Sequence, residues 1–571
     1  MPLRSSTSKV VFSTIIALGM TVAACGSTID TEEPALTTET SQSRTTSTGG
    51  EQAADPSGAN IGAPSLGDQY VGTFGNGGYD VEHYDIAISW DPDRTWLDGE
   101  TTITATATQD LTQFNLDLGK LDVSSVAVDA NPAEFTHAGN EISIRPKSRL
   151  TTGSQFTVVV NYEGDMAKPW SPLAASGFKA GWQTEPSFAF VVGEPISASS
   201  FHPANEHPSD KAAYTYRITA PSDLTVAASG TLVSTTPGED DTTLWVFDQP
   251  HPQANYLTAL MIGPFVIVDD TLTASGIPIR NVYDNDLVEI GTHLLANQRQ
   301  MIEYFETLFG PYPFDSYGAA LLNASFGGAL ETQTLSVLGV ETVGLGDTVV
   351  AHELAHQWFG NNVSLSTWGD IWLNEGFATY AEALWADHDD PDFSWDQWET
   401  ETLLMKPQLE QFVQSPPRSA FFGPQVYLRG ALTLHNLRQV VGDEVFFEIL
   451  RAWGQRFGGS NATTQDFIDL SSELSDQDLE HFFNQWLRTE ALPPKHDTSE
   501  AEPAESLLTT DDLRAATADY ATCMADNGVE FKLNPLAASE QQILIEIDRL
   551  IIDSPLAHRD CRAVLALVDQ P

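Results

Sequence analysis

Val349-Val350-Ala351-His352-Glu353-Leu354-Ala355-His356-Gln357-Trp358, VVAHELAHQW, is the stretch on which the reading turns. It is apolar enough for a core helix, yet it carries two histidines four apart. On a helix such residues lie one above the other on one face. Two imidazoles so placed fit one Zn²⁺, with bonds of about 2.0–2.1 Å. Glu353 lies one step round, close enough to reach a water on that ion without ligating it, as a general base must. The same residues also describe an ordinary buried helix that happens to carry two histidines. The choice has to come from elsewhere in the chain.

A zinc centre needs a third protein ligand and one open position. The stretch TWGDIWLNEGFATYAEALW supplies a candidate, Glu375, within an apolar helical run from Ile371 to Leu384. Two helices joined by a short loop pack antiparallel, which returns Glu375 to the histidine pair. The alternative is a solvated helix carboxylate. Against it, Trp372, Leu373, Phe377 and Tyr380 surround the position, and a buried carboxylate without a partner is costly.

The chain has 571 residues, 41% of them hydrophobic, which is long enough for several domains with a large core. Lys+Arg number 27 and Asp+Glu 79, a formal net charge of −52. That field repels nucleic acid and anionic lipid heads, so nucleic acid is excluded as a partner. Residues 1–25 read as an export signal: Arg4 and Lys9 precede an apolar run from Val10 to Leu18, and Val22-Ala23-Ala24-Cys25 follows. The last four resemble a bacterial lipobox, which implies a lipidated Cys25 anchored to the outer face of a membrane; an ordinary secretion signal with an incidental cysteine is the alternative. Residues 26–66 hold almost no large apolar side chains and read as a disordered stalk. Residues 67–268 alternate β-branched and aromatic residues in short runs punctuated by Gly, Asp, Asn and Pro, an all-β domain. The spacing turns helical from about Leu287, with one run expected to end at Gly310, so residues 269–490 form a mixed α+β domain. A linker over 491–506 and a small helical tail over 507–571 complete the chain. The tail carries Cys523 and Cys561, an even pair that oxidising conditions outside the cell would join in a disulfide. The acidic run Asp387–Asp392 reads as a solvated loop, and His435 as a core or edge histidine.

His352-Glu353-x-x-His356 followed by Glu375 inside WLNEGFATY resembles the gluzincin aminopeptidases, peptidase family M1, typified by aminopeptidase N. Further stretches resemble the family in the same order: YDVEHYDI and FHPANEHPSDKAAY its N-terminal β-domain, GALET (Gly328–Thr332) its exopeptidase motif, and VYLRGALTLHNLR the segment with its catalytic tyrosine. The resemblance runs from about Tyr79 to Leu487 and leaves out the family's large helical C-terminal domain. It implies a saddle-like β-domain, a thermolysin-like catalytic domain, and one Zn²⁺ per chain held by His352, His356 and Glu375. It implies Glu353 as the proton shuttle, Tyr427 as donor to the developing oxyanion, and Glu382 as the carboxylate orienting a ligand histidine. Glu331 and Glu194 become anchors for a substrate α-ammonium, and Gly327 and Gly328 a bare backbone edge for the peptide.

Two positions depart from the family. Leu330 stands where Met is usual, a volume-conserving change, and Thr332 where Asn is usual. A Thr hydroxyl does not copy an amide, so strict exopeptidase action is open to a rival, a zinc oligopeptidase or endopeptidase with a looser N-terminal requirement. A non-catalytic binding protein on the same fold is the rival from another class. The expected activity is zinc-dependent removal of N-terminal residues from peptides.

Overall fold

A computed structural model describes residues 60–168, 170, 180–269 and 272–493. The export signal with Cys25, most of the stalk, and the tail with Cys523 and Cys561 lie outside the described residues.

The β-domain is built on an eight-stranded sheet. Its strands run in the order Thr231–Pro237, Thr242–Gln253, Ala212–Pro221, Tyr79–Asp91, Trp96–Ala107, Gln155–Asp165, Asp122–Val128 and Asn131–Pro132. Tyr79–Asp91 alternates buried and exposed residues, as a strand with one solvated face should. Its pairing with Ala212–Pro221 is parallel and sets Tyr84 opposite Tyr214, whose rings stack with centroids 5.1 Å apart. A four-stranded sheet (Thr225–Ala228, Leu260–Gly263, Ala189–Val192, Gly181–Thr184) is buried more evenly. Phe190, Val192 and Met261 pack there with Leu322 and Val337 of the next domain. This shared cluster fixes how the β-domain meets the catalytic domain.

The catalytic domain opens on a five-stranded sheet: Phe265–Asp269, Arg280–Asp284, Ala319–Leu322, Ser336–Gly339 and Ala329–Leu330. The strand Phe265–Asp269 falls at the end of the stretch read as β-domain, yet it pairs with Arg280–Asp284. Local alternation reveals a strand but not the sheet it joins. The helical run from Leu287 is also not continuous. It divides into Val288–Leu294 and Gln298–Phe309, with Asn297 at the break donating its side-chain amide to Asp347 at 2.6 Å. Helices Asp347–Ala355, Trp372–Asp389, Gly430–Val441, Asp443–Phe457, Thr464–Ser475 and Glu480–Leu487 form the remaining bulk. No helix among the described residues is long and apolar enough to cross a membrane.

Two contacts tie the domains together from positions that local pattern does not mark. Lys211 reaches from the β-domain to the carbonyls of Asn361 and Asn362, at 2.8 and 2.9 Å, just past the histidine helix. Residues 60–66, expected in the stalk, instead hydrogen-bond to the β-domain through Gly62 N to Gln113 O (2.8 Å) and Gly77 N to Ala63 O (2.9 Å). Backbone pairing holds them although their side chains bury little. The next residues form a strap onto the catalytic domain. Asp68 Oδ2 accepts from Trp368 N at 2.9 Å, Tyr70 donates its hydroxyl to Pro416 O at 2.7 Å, and the Tyr70 ring stacks on Phe421 at 4.5 Å.

Truncating a buried aromatic costs about 3–5 kcal/mol. Tyr70→Ala is expected to destabilise the protein by that amount in chemical denaturation; a loss below about 1 kcal/mol would show that the strap is not integral to the fold.

Candidate metal and peptide site

The histidine helix starts after Gly346, with Asp347 in its first turn, where a carboxylate opposes the positive end of the helix dipole. It ends at His356. Helix Trp372–Asp389 returns alongside it, buried on every side from Trp372 to Trp385. A helix so apolar belongs in a core; Thr379 Oγ1 is buried there without a hydrogen-bond partner among the described residues, while three other polar residues are engaged. Asn374 donates to the Tyr256 hydroxyl at 3.0 Å, while Glu375 and Glu382 face the histidines.

Glu375 Oε2 lies 3.2 Å from His352 Nε2 and 3.6 Å from His356 Nε2. Ligand atoms about 2.0–2.1 Å from a tetrahedral ion are about 3.3–3.4 Å apart, so the spacing fits such an ion. The other ring nitrogens are taken. His352 Nδ1 donates to Glu382 Oε1 at 2.6 Å, and His356 Nδ1 to Phe359 O at 3.2 Å. With an ion bound, both bonds would keep the proton on Nδ1 and leave the Nε2 lone pair for the metal, as a metal site requires; without one, Nε2 donates to Glu375. The triad therefore fits a divalent ion such as zinc in donor type, spacing and orientation.

The electrostatics of these groups, taken without an ion, ask for a cation at the same point. Burial alone would lower the His352 pKa, but hydrogen bonds to Glu375 and Glu382 hold it well above the usual imidazole value. Burial would raise Glu375, but the charge on His356 and hydrogen bonds from both histidines bring it down to about 2. Glu353, with no such bonds, is pushed up by burial to about 8. Glu194 and Glu331 are also raised, first by burial and, for Glu194, by repulsion from Glu331.

A second group of carboxylates stands beside the triad. Oxygens of Glu194, Glu331 and Glu375 lie within 4.8 Å of one another. Glu194 follows the strand Ala189–Val192 of the β-domain, so the site lies between the two domains. Glu194 Oε1, Glu331 Oε1 and Glu353 Oε2 are buried with no hydrogen-bond partner among the described residues. Three unpaired carboxylate oxygens in one cleft leave room for a cationic donor, since buried charge needs a partner. Tyr427 stacks its ring over His352 with centroids 6.2 Å apart. It stands not at a plain helix start but within a π-helical turn, Gln425–Arg429.

The Glu331 loop shows what sequence reasoning missed. The Glu331 carbonyl accepts from Gln357 Nε2 at 3.1 Å and Asn361 Nδ2 at 2.7 Å, which pins the loop to the end of the histidine helix. Gln357 was visible as an amide in an apolar helix; nothing local marks Asn361. Gly327 and Gly328 do not offer bare amides. Both N–H groups, at 2.9 and 3.1 Å, and that of Phe326, at 3.0 Å, donate to Glu341 Oε1. The tight turn this needs uses positive φ at both glycines, 111° and 151°. The open edge is instead the outer side of Ala329–Leu330, the last strand of its sheet. Thr332 turns inward and donates its hydroxyl to Leu335 O.

Comparison with known proteins gives the same outline. The peptidase M1 N-terminal domain matches residues 80–257 and the peptidase family M1 domain residues 294–486. Aminopeptidase M1-A of rice (Oryza sativa subsp. japonica) is 27% identical over 446 residues, which is 72% of this chain and 50% of the rice protein. Aminopeptidase N of Streptomyces lividans is 29% identical over 319 residues, 50% of this chain and 36% of that protein. The chain thus spans half or less of the length of these relatives. It covers 99% of the solved M1 zinc metallopeptidase of Deinococcus radiodurans in one crystal structure, with 30% identity, 75% of this chain aligned and a TM-score of 0.69. Another structure of that protein holds a Tyr-Ser-Ala substrate and aligns with 76% of this chain and 100% of its own, at 29% identity and a TM-score of 0.70.

Losing a partner that orients a metal-bound histidine typically weakens metal affinity 10–100-fold. Glu382→Gln is expected to weaken zinc binding by about that factor in chelator competition; unchanged affinity would deny Glu382 this role.

Proposed function

The chain belongs to peptidase family M1, and from that premise we propose that it is a zinc-dependent aminopeptidase acting on peptides with a free N-terminus. The observation that carries this reading is the set of unpaired, buried carboxylate oxygens of Glu194 and Glu331 beside the His352–His356–Glu375 triad. A metal triad alone serves any metallohydrolase. A pocket of carboxylates next to it suits a substrate that brings its own positive charge, and the α-ammonium supplies it with charge-assisted hydrogen bonds.

His352, His356 and Glu375 would hold the zinc, leaving the open position for water and substrate. When bound, zinc polarises the scissile carbonyl and makes water a nucleophile near neutral pH. Glu194 and Glu331 fix the ammonium, so that only the first peptide bond reaches the reacting position. Glu353 takes one proton from the attacking water and passes it to the departing amine, which leaves neutral. Its unpaired Oε2 is free for that task. The Tyr427 hydroxyl donates to the oxygen that gains charge as the carbonyl is attacked. Thr332 supports exopeptidase action over the looser alternative, because its inward hydrogen bond closes the turn behind Glu331 and leaves that carboxylate in the cleft.

The export signal and the lipobox-like Cys25 support a place on the outer face of the cell membrane. Cys25→Ser is expected to release the protein or leave it unprocessed; mature protein still tethered would contradict a lipid anchor at this residue. For the chemistry, Glu353→Gln should keep its zinc and lose turnover by about 10²–10⁴-fold. Wild-type protein should cleave an N-acetylated peptide at least about 100-fold more slowly than the free one, since two buried carboxylates lose their partner. Equal cleavage of both would overturn the aminopeptidase reading and favour an endopeptidase.

A further inference from the structure

The turn that carries Tyr427 is held from outside the site. Two residues beyond the tyrosine, Arg429 closes the turn and is wholly buried. Its hydrogen bonds go to backbone carbonyls: Leu409 (3.1 Å), Gln411 (3.2 Å), Gln485 (3.0 Å), Trp486 (2.8 Å), Thr489 (2.9 Å), Glu490 (2.7 Å) and Ala491 (3.1 Å), with one further contact to Thr489 Oγ1 at 3.4 Å. Those from Gln485 onward belong to the end of helix Glu480–Leu487 and the residues just past it. Exposed carbonyls there form the negative end of a helix dipole, and a guanidinium fork satisfies several at once. Burying an unpaired guanidinium is otherwise expensive.

On its inner side the same turn meets the metal helix. A Cβ on Gly430 would lie 2.8 Å from Gly376 Cα, and one on Gly376 would lie 2.9 Å from Gly430 Cα. Such an approach admits only glycine on either side. Gly376 directly follows Glu375. The tyrosine turn is thus wedged between the backbone beside a proposed zinc ligand and the segment 485–491. A π-helical turn is a local departure from α geometry, often found at functional sites.

We propose that Arg429 is a positioning residue for the reaction: by binding the carbonyls of residues 485–491 it sets the reach of the Tyr427 hydroxyl over the metal triad. This rests on the reading of Tyr427 as the oxyanion donor. The competing account is a cap that merely stabilises the last helix. A cap lowers stability when removed and acts on turnover independently of Tyr427. A positioning residue acts through Tyr427 alone.

A double-mutant cycle in the full chain separates the two, with kcat, KM, zinc content and melting temperature measured for each protein. Tyr427→Phe is expected to lower kcat by about 10²–10³-fold. Arg429→Lys keeps the charge but loses the fork, and is expected to lower kcat about tenfold or more with KM and zinc content within about twofold. Added to Tyr427→Phe, it should change kcat by less than about twofold. An equal kcat loss in both backgrounds, or a lowered melting temperature with unchanged kcat, would overturn the proposal and leave the Tyr427 reading intact. A Tyr427→Phe protein with near wild-type kcat would overturn both. Should Arg429→Lys not accumulate as folded protein, Arg429→Gln, whose amide still donates to the carbonyls, takes its place in the cycle, with the same outcomes deciding.

Discussion

The Glu375 carboxylate, almost fully buried between two imidazoles, is the constraint on which the structure depends. A charge in a dry interior is tolerated only with opposite charge at hand. Here the partners come from a helix that ends well before Glu375 begins its own, so the two must pack antiparallel at close range. That requirement explains why Trp372–Trp385 is buried on all faces and why Glu375 and Glu382 both face the histidines. It also explains the outer contacts. Glu382 on one imidazole and the Phe359 carbonyl on the other turn both Nε2 atoms inward. Remove the demand for a cation at this point, and the cluster has no reason to be buried.

Around that centre the rest of the fold acts as a frame. The β-domain contributes Glu194 and is locked in place by the shared apolar cluster, by Lys211 and by the strap through Tyr70. The carboxylate pocket exists only because the two domains meet at this angle.

What could be read in the sequence depended on whether partners are near in the chain or share a local spacing. His352 and His356 share a helix face, and Glu375 lies on the next helix, after a connection that holds only a short strand and one tight turn, so their meeting was legible. The mixed architecture was legible too, because alternation gives way to helical spacing near Leu287. The strand Phe265–Asp269 was visible as a strand, but its sheet was not, since pairing is a long-range property. Lys211, Glu341 and Arg429 escaped notice for one reason: each binds backbone groups, which leave no mark in the residue pattern. Gly327 and Gly328 were read as a bare backbone edge, because the carboxylate that occupies their amides lies more than ten residues away. Residues 60–66 looked unable to fold because composition counts side chains, whereas what holds them is main-chain hydrogen bonding.

The central claim is that two imidazoles and one carboxylate grip a single zinc ion. X-ray absorption at the zinc edge of the purified protein tests it most directly. The account predicts one zinc per chain, with a first shell of nitrogen and oxygen at about 2.0–2.2 Å that carries the scattering signature of two imidazoles and contains no sulfur. A protein that binds no stoichiometric zinc, or a shell lacking the paired imidazole signature, would contradict it.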